Sequence, residues 1–466
     1  MPADEAEPLA YHVRYVPEST AGGWPTDTTT FQDLESERNW KSGLGFWGPS
    51  HAEAGGGVER LAFKEIPRQP LASIGQLAHA DLGGWDTQPA YAVGNSYASL
   101  FVARDQTVDR QPGVDTGIDQ PDDDLVAVDL SWHYNDALFD DFFFSGVPPE
   151  DPDFDVAAFP PFEPVDEDFL DDRDKKLPNP RMRIARGDQD AGDLLDDLRD
   201  TRRAASRLMV EGAFNVNSTS VEAWKSVLAG ASAKQLRDYD GNLMEFSSED
   251  FAFSRFATPV GGLGDRFSGI RVLDRGELTA LAEAIVAEVR LRGPFLSLAD
   301  FVNRRLVDNE LGAKGALQAA LDRTVNDPGN FGGPPDSAAV DALWNGLGRS
   351  QNAAPAVGAG YPGWLLQSDL LQTLAPYLSV RGDTFTIRAY GQTRNPNTGE
   401  SEAEAWCELV VQRFPVYVEA EANPAHTPFD PALADEQGLD PLSPTNRAFG
   451  RKFRIIAFRW LNKDEI

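Results

Sequence analysis

Hydrophobic residues change period along this chain, and that change constrains the fold more than any other feature. In GELTALAEAIVAEVRLRG (276–293), Leu278, Leu281, Ala282, Ile285, Val286 and Val289 recur at helical spacing. After residue 377 the period drops to two. Phe385, Ile387 and Ala389 share one face of DTFTIRAYG, and Ala403, Ala405, Cys407, Leu409 and Val411 share one face of SEAEAWCELVVQR. NPNTGE between them has turn chemistry, and FRIIAFRW (453–460) reads as a third strand. A helical region followed by an antiparallel meander is an α+β pattern.

The helices carry their own boundaries. Gly293 stands at the C′ position of the 276–293 helix, and Pro294 blocks its continuation. In RGPFLSLADFVNRRL (292–306), Ser297 and Asp300 have capping-box spacing, Leu296 and Phe301 have staple spacing, and Leu298, Phe301, Val302 and Leu306 form the apolar stripe. A diluted copy, RQPLASIGQLAHADL (68–82), pairs Ser73 with Gln76 and has Ile74, Leu77 and Leu82 as its stripe. Thr219 with Glu222 suggests a third cap, and Ser368 a fourth.

Four stretches follow from this reading. Residues 1–149 are loop-rich, with YHVRYV and LVAVDLSWHY as strands; 150–203 is an acidic, Pro-rich linker; 204–376 is helical; 377–466 is the strand meander. Residues 324–363 read as a loop with one helix, DSAAVDALWNGL.

Charge narrows the function classes. The formal charge is −32, and only 9 of 42 basic residues are Lys. Such a chain repels nucleic acid and anionic membranes, so Arg292, Arg304 and Arg305 beside the Gly-Pro turn make a poor DNA-binding hairpin. No apolar run approaches the ~20 residues of a membrane span. The opening stretch MPADEAEPLAYHVRYV has neither the basic nor the apolar region of an export signal.

Little catalytic chemistry is legible. Asp238, Asp240, Asn242 and Glu245 in DYDGNLMEFSSED alternate hard oxygen ligands around a Gly, which makes them candidate calcium ligands. Asp151, Asp153 and Asp155 alternate without the Gly. Of the five histidines, His12, His51, His79, His133 and His426, none has a metal-binding spacing to another. His79 with Asp81 and His133 with Asp136 are close in sequence, and each could be half of a catalytic set, although a satisfied or surface histidine is the plainer reading. Cys407, the sole cysteine, sits on the inward face of its strand and reads as a buried thiol. Trp132, Tyr134, Phe139 and Phe142–Phe144 read as core, with a patch for a partner or glycan as the alternative.

Two segments, FNVNSTSVEAWKSVL (214–228) and GPFLSLADFVNRRL (293–306), together with the three terminal strands, resemble the minor pseudopilin K of type II secretion. The resemblance covers roughly residues 204–466. YNDALFDDFFFSGVP (134–148) and GYPGWLLQSDLLQTLAPYLSVRGDTFTIRAYG (360–391) resemble the uncharacterised Verru_Chthon cassette protein A family. These resemblances imply a pilin-like antiparallel scaffold with inserted capped-helix hairpins, 277–291 against 297–306, and parts of 1–150 joining the sheet. They imply a non-enzymatic component of a periplasmic or cell-envelope assembly, with other pilin-like or envelope proteins as partners and calcium as the one cofactor to consider. Pseudopilins begin with a cleavable leader and a long apolar helix, and neither stands at the head of this sequence. The alternative is a secreted or surface binding protein, or a hydrolase without a recognisable catalytic motif.

Overall fold

The computed structural model describes residues 10–12, 62–65, 71–80, 82, 91–99, 102–112, 124–147, 165–172, 175–186, 190–232, 236, 243–256, 269–327, 363–428 and 441–465. It is an α+β molecule with small antiparallel sheets. The chain folds into two compact units, each made of two segments: 1–143 with 216–380, and 144–215 with 381–466. The four stretches read from the sequence therefore associate in alternation, first with third and second with fourth.

The first unit is mainly helical. Its helices are α1 (Leu130–Leu138), α2 (Val221–Ala231), α3 (Arg275–Arg292), α4 (Leu298–Val302), α5 (Ala316–Arg323) and α6 (Gln367–Leu374). The predicted stripe of α3 is buried throughout. However, α3 packs on α2 and α5, while α4 packs on α1 and α5, so the expected α3–α4 hairpin is replaced by contacts with other helices. Trp224 stacks on Phe301 with ring centroids 6.2 Å apart, and Phe295 meets Phe301 edge-on at 5.2 Å. These rings join α2 to α4.

The caps follow the expected chemistry with shifts of detail. Ser297 Oγ accepts from the Asp300 amide at 3.0 Å, and Asp300 accepts from the Leu296 amide at 3.1 Å. Leu296 is 71% exposed, so no staple forms with buried Phe301, and Leu306 is exposed as well. Ser220, one residue after Thr219, caps α2. Leu366 is the N-cap of α6, its amide held by Asp369 at 2.8 Å, and Ser368 lies buried inside the helix. Gly293 has φ −75°, not the left-handed value of a C′ glycine. It must be small because a Cβ would meet the Val289 carbonyl at 2.6 Å.

The diluted copy at 68–82 becomes a 3-10 turn, Ile74–His79, packed on α6. A Cβ on Gly75 would lie 2.5 Å from the Leu371 carbonyl, so backbone meets backbone there. SWHY, expected as strand, is the start of α1, because Asp129 accepts the Trp132 amide at 3.1 Å and starts a helix after the strand Asp124–Val128.

The second unit contains the three-stranded sheet β1 (Thr384–Arg394), β2 (Ser401–Tyr417) and β3 (Arg451–Leu461), antiparallel in that order. The strands expected to share one sheet do so. Residues 10–12, 62–65, 108–112 and 124–128 form separate two-stranded pairs and add nothing to it. The supposed linker holds a core instead: Val165, Phe169, Leu170, Leu194, Leu195 and Leu198 are buried together. Their spacing puts them on one side of the helices Glu167–Asp171 and Ala191–Arg199, while most of the acids cap these helices or face water and Asp197 is buried in an ion pair with Arg207.

Candidate interaction face

In the β sheet, strand register sorts the side chains into two faces. Phe385 pairs with Val411, Ile387 with Leu409 and Ala389 with Cys407. On the other side of β2, Val411 pairs with Ile455, Leu409 with Phe458 and Cys407 with Trp460. Residues paired across a ladder share a face, so these nine residues form one apolar surface. Phe453, opposite Arg413, extends it, and its ring lies 6.0 Å from that of Phe385. An irregularity between Val410 and Val411 absorbs one extra residue on β3, so that both halves of FRIIAFRW keep their aromatic residues on this face.

This apolar face lies in water. Trp460 is 68% exposed, Ile455 69%, Phe458 53%, Phe453 52%, Ile387 47% and Phe385 41%. At roughly 200 Å² per large side chain, these fractions leave on the order of 600 Å² of apolar surface uncovered. That is at the upper end of the largest patch on an ordinary monomer, roughly 300–600 Å². A sheet with one apolar face needs a second layer, and among the described residues none covers this one.

The opposite face is polar. Glu408 accepts from Arg388 and Arg459, both at 2.8 Å. These two guanidinium hydrogen bonds hold its carboxyl below the usual range. Tyr390 packs against Trp406 at 5.2 Å, and its hydroxyl bonds Gln392 and Glu404. Desolvation, then the hydrogen bond to Glu404, raises the phenol pKa. The three strands hold seven basic side chains against three acidic ones, so the sheet is basic within a chain of charge −32.

The residues singled out from the sequence fall elsewhere. Asp238, Asp240 and Asn242 lie outside the described residues. Glu245 is exposed, beside Met244, whose amide donates to the Leu236 carbonyl at 2.9 Å. Asp151, Asp153, Asp155, His51, Asp81 and residues 328–362, including DSAAVDALWNGL, also lie outside the described residues. His12 stands in a short strand. His79 is buried with Nε2 3.0 Å from the Arg255 carbonyl. His133 Nε2 is buried without a hydrogen-bond partner, while Asp136 is exposed, so the two do not form a pair. His426 Nδ1 is likewise buried and unpartnered. Cys407 is half-buried on the apolar sheet face, which corrects the expectation of a fully buried thiol. Of the aromatic run, Phe139 is core, but Phe142 is 59% exposed and Phe143 39%.

The arginines considered for DNA are internal ties. Arg304 is 1% exposed and bonds Asp129, with further bonds to the Arg104 and Gln106 carbonyls. Arg292 bonds Glu288 at 2.5 Å, and Arg305 pairs with Asp300. A cavity of about 270 Å³ beside Arg292 is lined by Glu288, Lys314, Asp322 and Arg323. Its charges are paired among themselves, Lys314 with Asp322 and Arg323 with Glu288, which leaves it a poor ligand site.

The motifs behind the resemblances meet inside the first unit. Asn217, from FNVN, accepts from the Phe295 amide at 2.6 Å and donates to the Phe295 carbonyl at 2.9 Å. It thereby acts as an extra peptide group for the GPF segment. Asp140, from FDDFFFS, accepts from the Leu298 and Ala299 amides at the start of α4, both at 2.8 Å. The side-chain oxygens of Gln367 and Gln318 each accept from the other residue's backbone amide, and the Gln367 side-chain amide donates to the Gly94 and Val302 carbonyls. Among the described residues no helix is long and apolar enough to cross a membrane. No protein-family model, no curated protein and no solved structure matches this chain.

Proposed function

We propose that this protein is a non-enzymatic interaction component of a pilus-like or type II secretion-like assembly of the cell envelope, resembling pseudopilin K. The observation that supports this is the uncovered apolar face of β1–β3. Exposed apolar surface of this size costs solubility unless a protein surface receives it. The β meander and the Asn217 link between FNVN and GPF agree with the resemblance that suggested the reading. On this reading the sheet makes contacts, and the helical unit supplies bulk.

A photo-crosslinking amino acid at position 458, introduced in the native cells, tests the proposal. The expected adduct is with a pilin-like envelope protein. A chain that forms no such adduct, and instead turns over a substrate from a hydrolase panel, would favour the alternative of a secreted hydrolase.

A further inference from the structure

Resting on the reading of the sheet as a contact face, we infer that a second copy of this chain occupies it, sheet packed on sheet. The area argues for this first. Two faces of on the order of 600 Å² bury about 1,200 Å² together, which reaches the lower bound of stable, specific interfaces. Packing two such sheets face to face also supplies the layer each lacks, at a spacing of about 10 Å.

Charge placement argues for it next. By register, Arg388, Arg454 and Arg459 belong to the opposite face. On the apolar face the charged positions in the paired rows are Arg413, which Asp383 neutralises at the rim, and Arg451 at the far end, which is tied to the Pro415 and Ala425 carbonyls. A two-fold contact therefore sets no like charges against each other at close range. What opposes it is the long-range repulsion of two chains of charge −32. At physiological salt that repulsion is screened within about 8 Å. The dimer should then tighten as salt rises, the reverse of an association driven by ion pairs.

Leu409 is the probe position. It lies on the central strand, in the Ile387–Leu409–Phe458 row near the middle of the apolar rows. A two-fold axis between the sheets brings it close to its mate whether the facing strands run parallel or antiparallel. The chain has only one native cysteine, so Leu409→Cys in a Cys407→Ala background leaves one reactive thiol per copy.

The experiment is sedimentation velocity of the purified full chain over two decades of concentration, at low and high salt, with bismaleimide crosslinking of the Leu409→Cys protein. The expected result is a dimer strengthened by salt and crosslinked through position 409. Trp460→Glu should weaken it by about thirtyfold or more, as loss of a large aromatic anchor does. Arg388→Glu on the opposite face should leave it intact. If Trp460→Glu perturbs folding, crosslinking through position 409 decides alone. A monomer at every concentration and salt overturns the second copy as occupant, while an envelope-protein adduct at position 458 would still stand for the broader reading. A dimer that does not crosslink through position 409 and survives Trp460→Glu overturns the face.

Discussion

The helical unit and the three-stranded sheet of the second unit treat polar and apolar groups in opposite ways. In the helical unit, Asn135, Gln318, Asn326 and Gln367 are fully buried and hydrogen-bonded, and the Arg255–Asp369 and Arg304–Asp129 pairs are almost completely enclosed. In the sheet of the second unit, Phe, Ile and Trp side chains face water. A fold that encloses its polar groups and satisfies them is specified from within. A fold that leaves apolar groups out is completed by something else. On the proposed reading, architecture belongs to one unit and contact to the sheet of the other.

Matched truncations test that contrast most directly. Phe301→Ala removes a fully buried ring and should destabilise the first unit by about 3–5 kcal/mol. Phe458→Ala removes a ring of the same size that is half in water, and in the isolated chain should cost under about 1 kcal/mol. Hydrogen exchange read separately for residues 278–302 and 451–461 measures both. Similar losses at the two positions would mean the sheet face is covered, and the contact reading would fall.

Breaking a buried pair comes next. Arg304→Met leaves Asp129 enclosed without its cation and strips donors from the Arg104 and Gln106 carbonyls. The expected cost is about 3–5 kcal/mol. Arg388→Met, on the exposed row with Glu408, should change stability by less than about 1 kcal/mol. Urea titration of each variant, followed by exchange in its own unit, would show the difference.

Much of the local structure was legible because it depends on neighbours in sequence. The apolar stripe of α3, the Ser297 cap and the NPNTGE turn each rest on side chains within a few residues, and the turn closes with the Asn395 amide on the Glu400 carbonyl. The sharing of one sheet by β1–β3 was legible from period and spacing. The pairing of distant segments was not, since nothing within 150–203 shows that its leucines belong with 381–466. The outward direction of the apolar face was hidden for a different reason. Alternation reveals that Cys407 and Leu409 share a face, but not which face is wet. The sequence reading assumed the apolar side lay inward. The Arg388–Glu408–Arg459 row on the other side, two half-exposed arginines over a largely covered Glu408, was missed because its members are far apart in sequence.

The link between FNVN and GPF is the next smaller effect. Asn217→Ala removes two hydrogen bonds to the Phe295 backbone and leaves that amide and carbonyl without them. A loss of about 1–3 kcal/mol is expected. Asn217→Asp retains the acceptor and should recover part of it. If Asn217→Ala is silent in exchange of residues 293–302, the two motifs do not depend on each other, and the structural support for the resemblance weakens.

The smallest effect is confined to the second unit and depends on pH. Burial lowers the pKa of His426 below the ordinary histidine value of 6.5; Arg203 and Arg207 act in the same direction, and Asp197 and Asp200 against it. The folded imidazole therefore stays neutral at a pH where the unfolded one takes up a proton. Above the ordinary value neither state binds the proton, and His426 contributes no pH dependence. As the pH falls through that value the unfolded state gains a proton that the folded state refuses, so stability declines until the lowered folded pKa is reached. The carbonyls of Ala425 and Thr427, held by Arg451 and Tyr417, tie the segment around His426 in place, so the loss should appear there first. Exchange in residues 421–428 should accelerate on mild acidification, and His426→Asn should flatten that dependence. Helices of the first unit should show no matching change. Acceleration that persists in His426→Asn would show that His426 is not the source of the acid response.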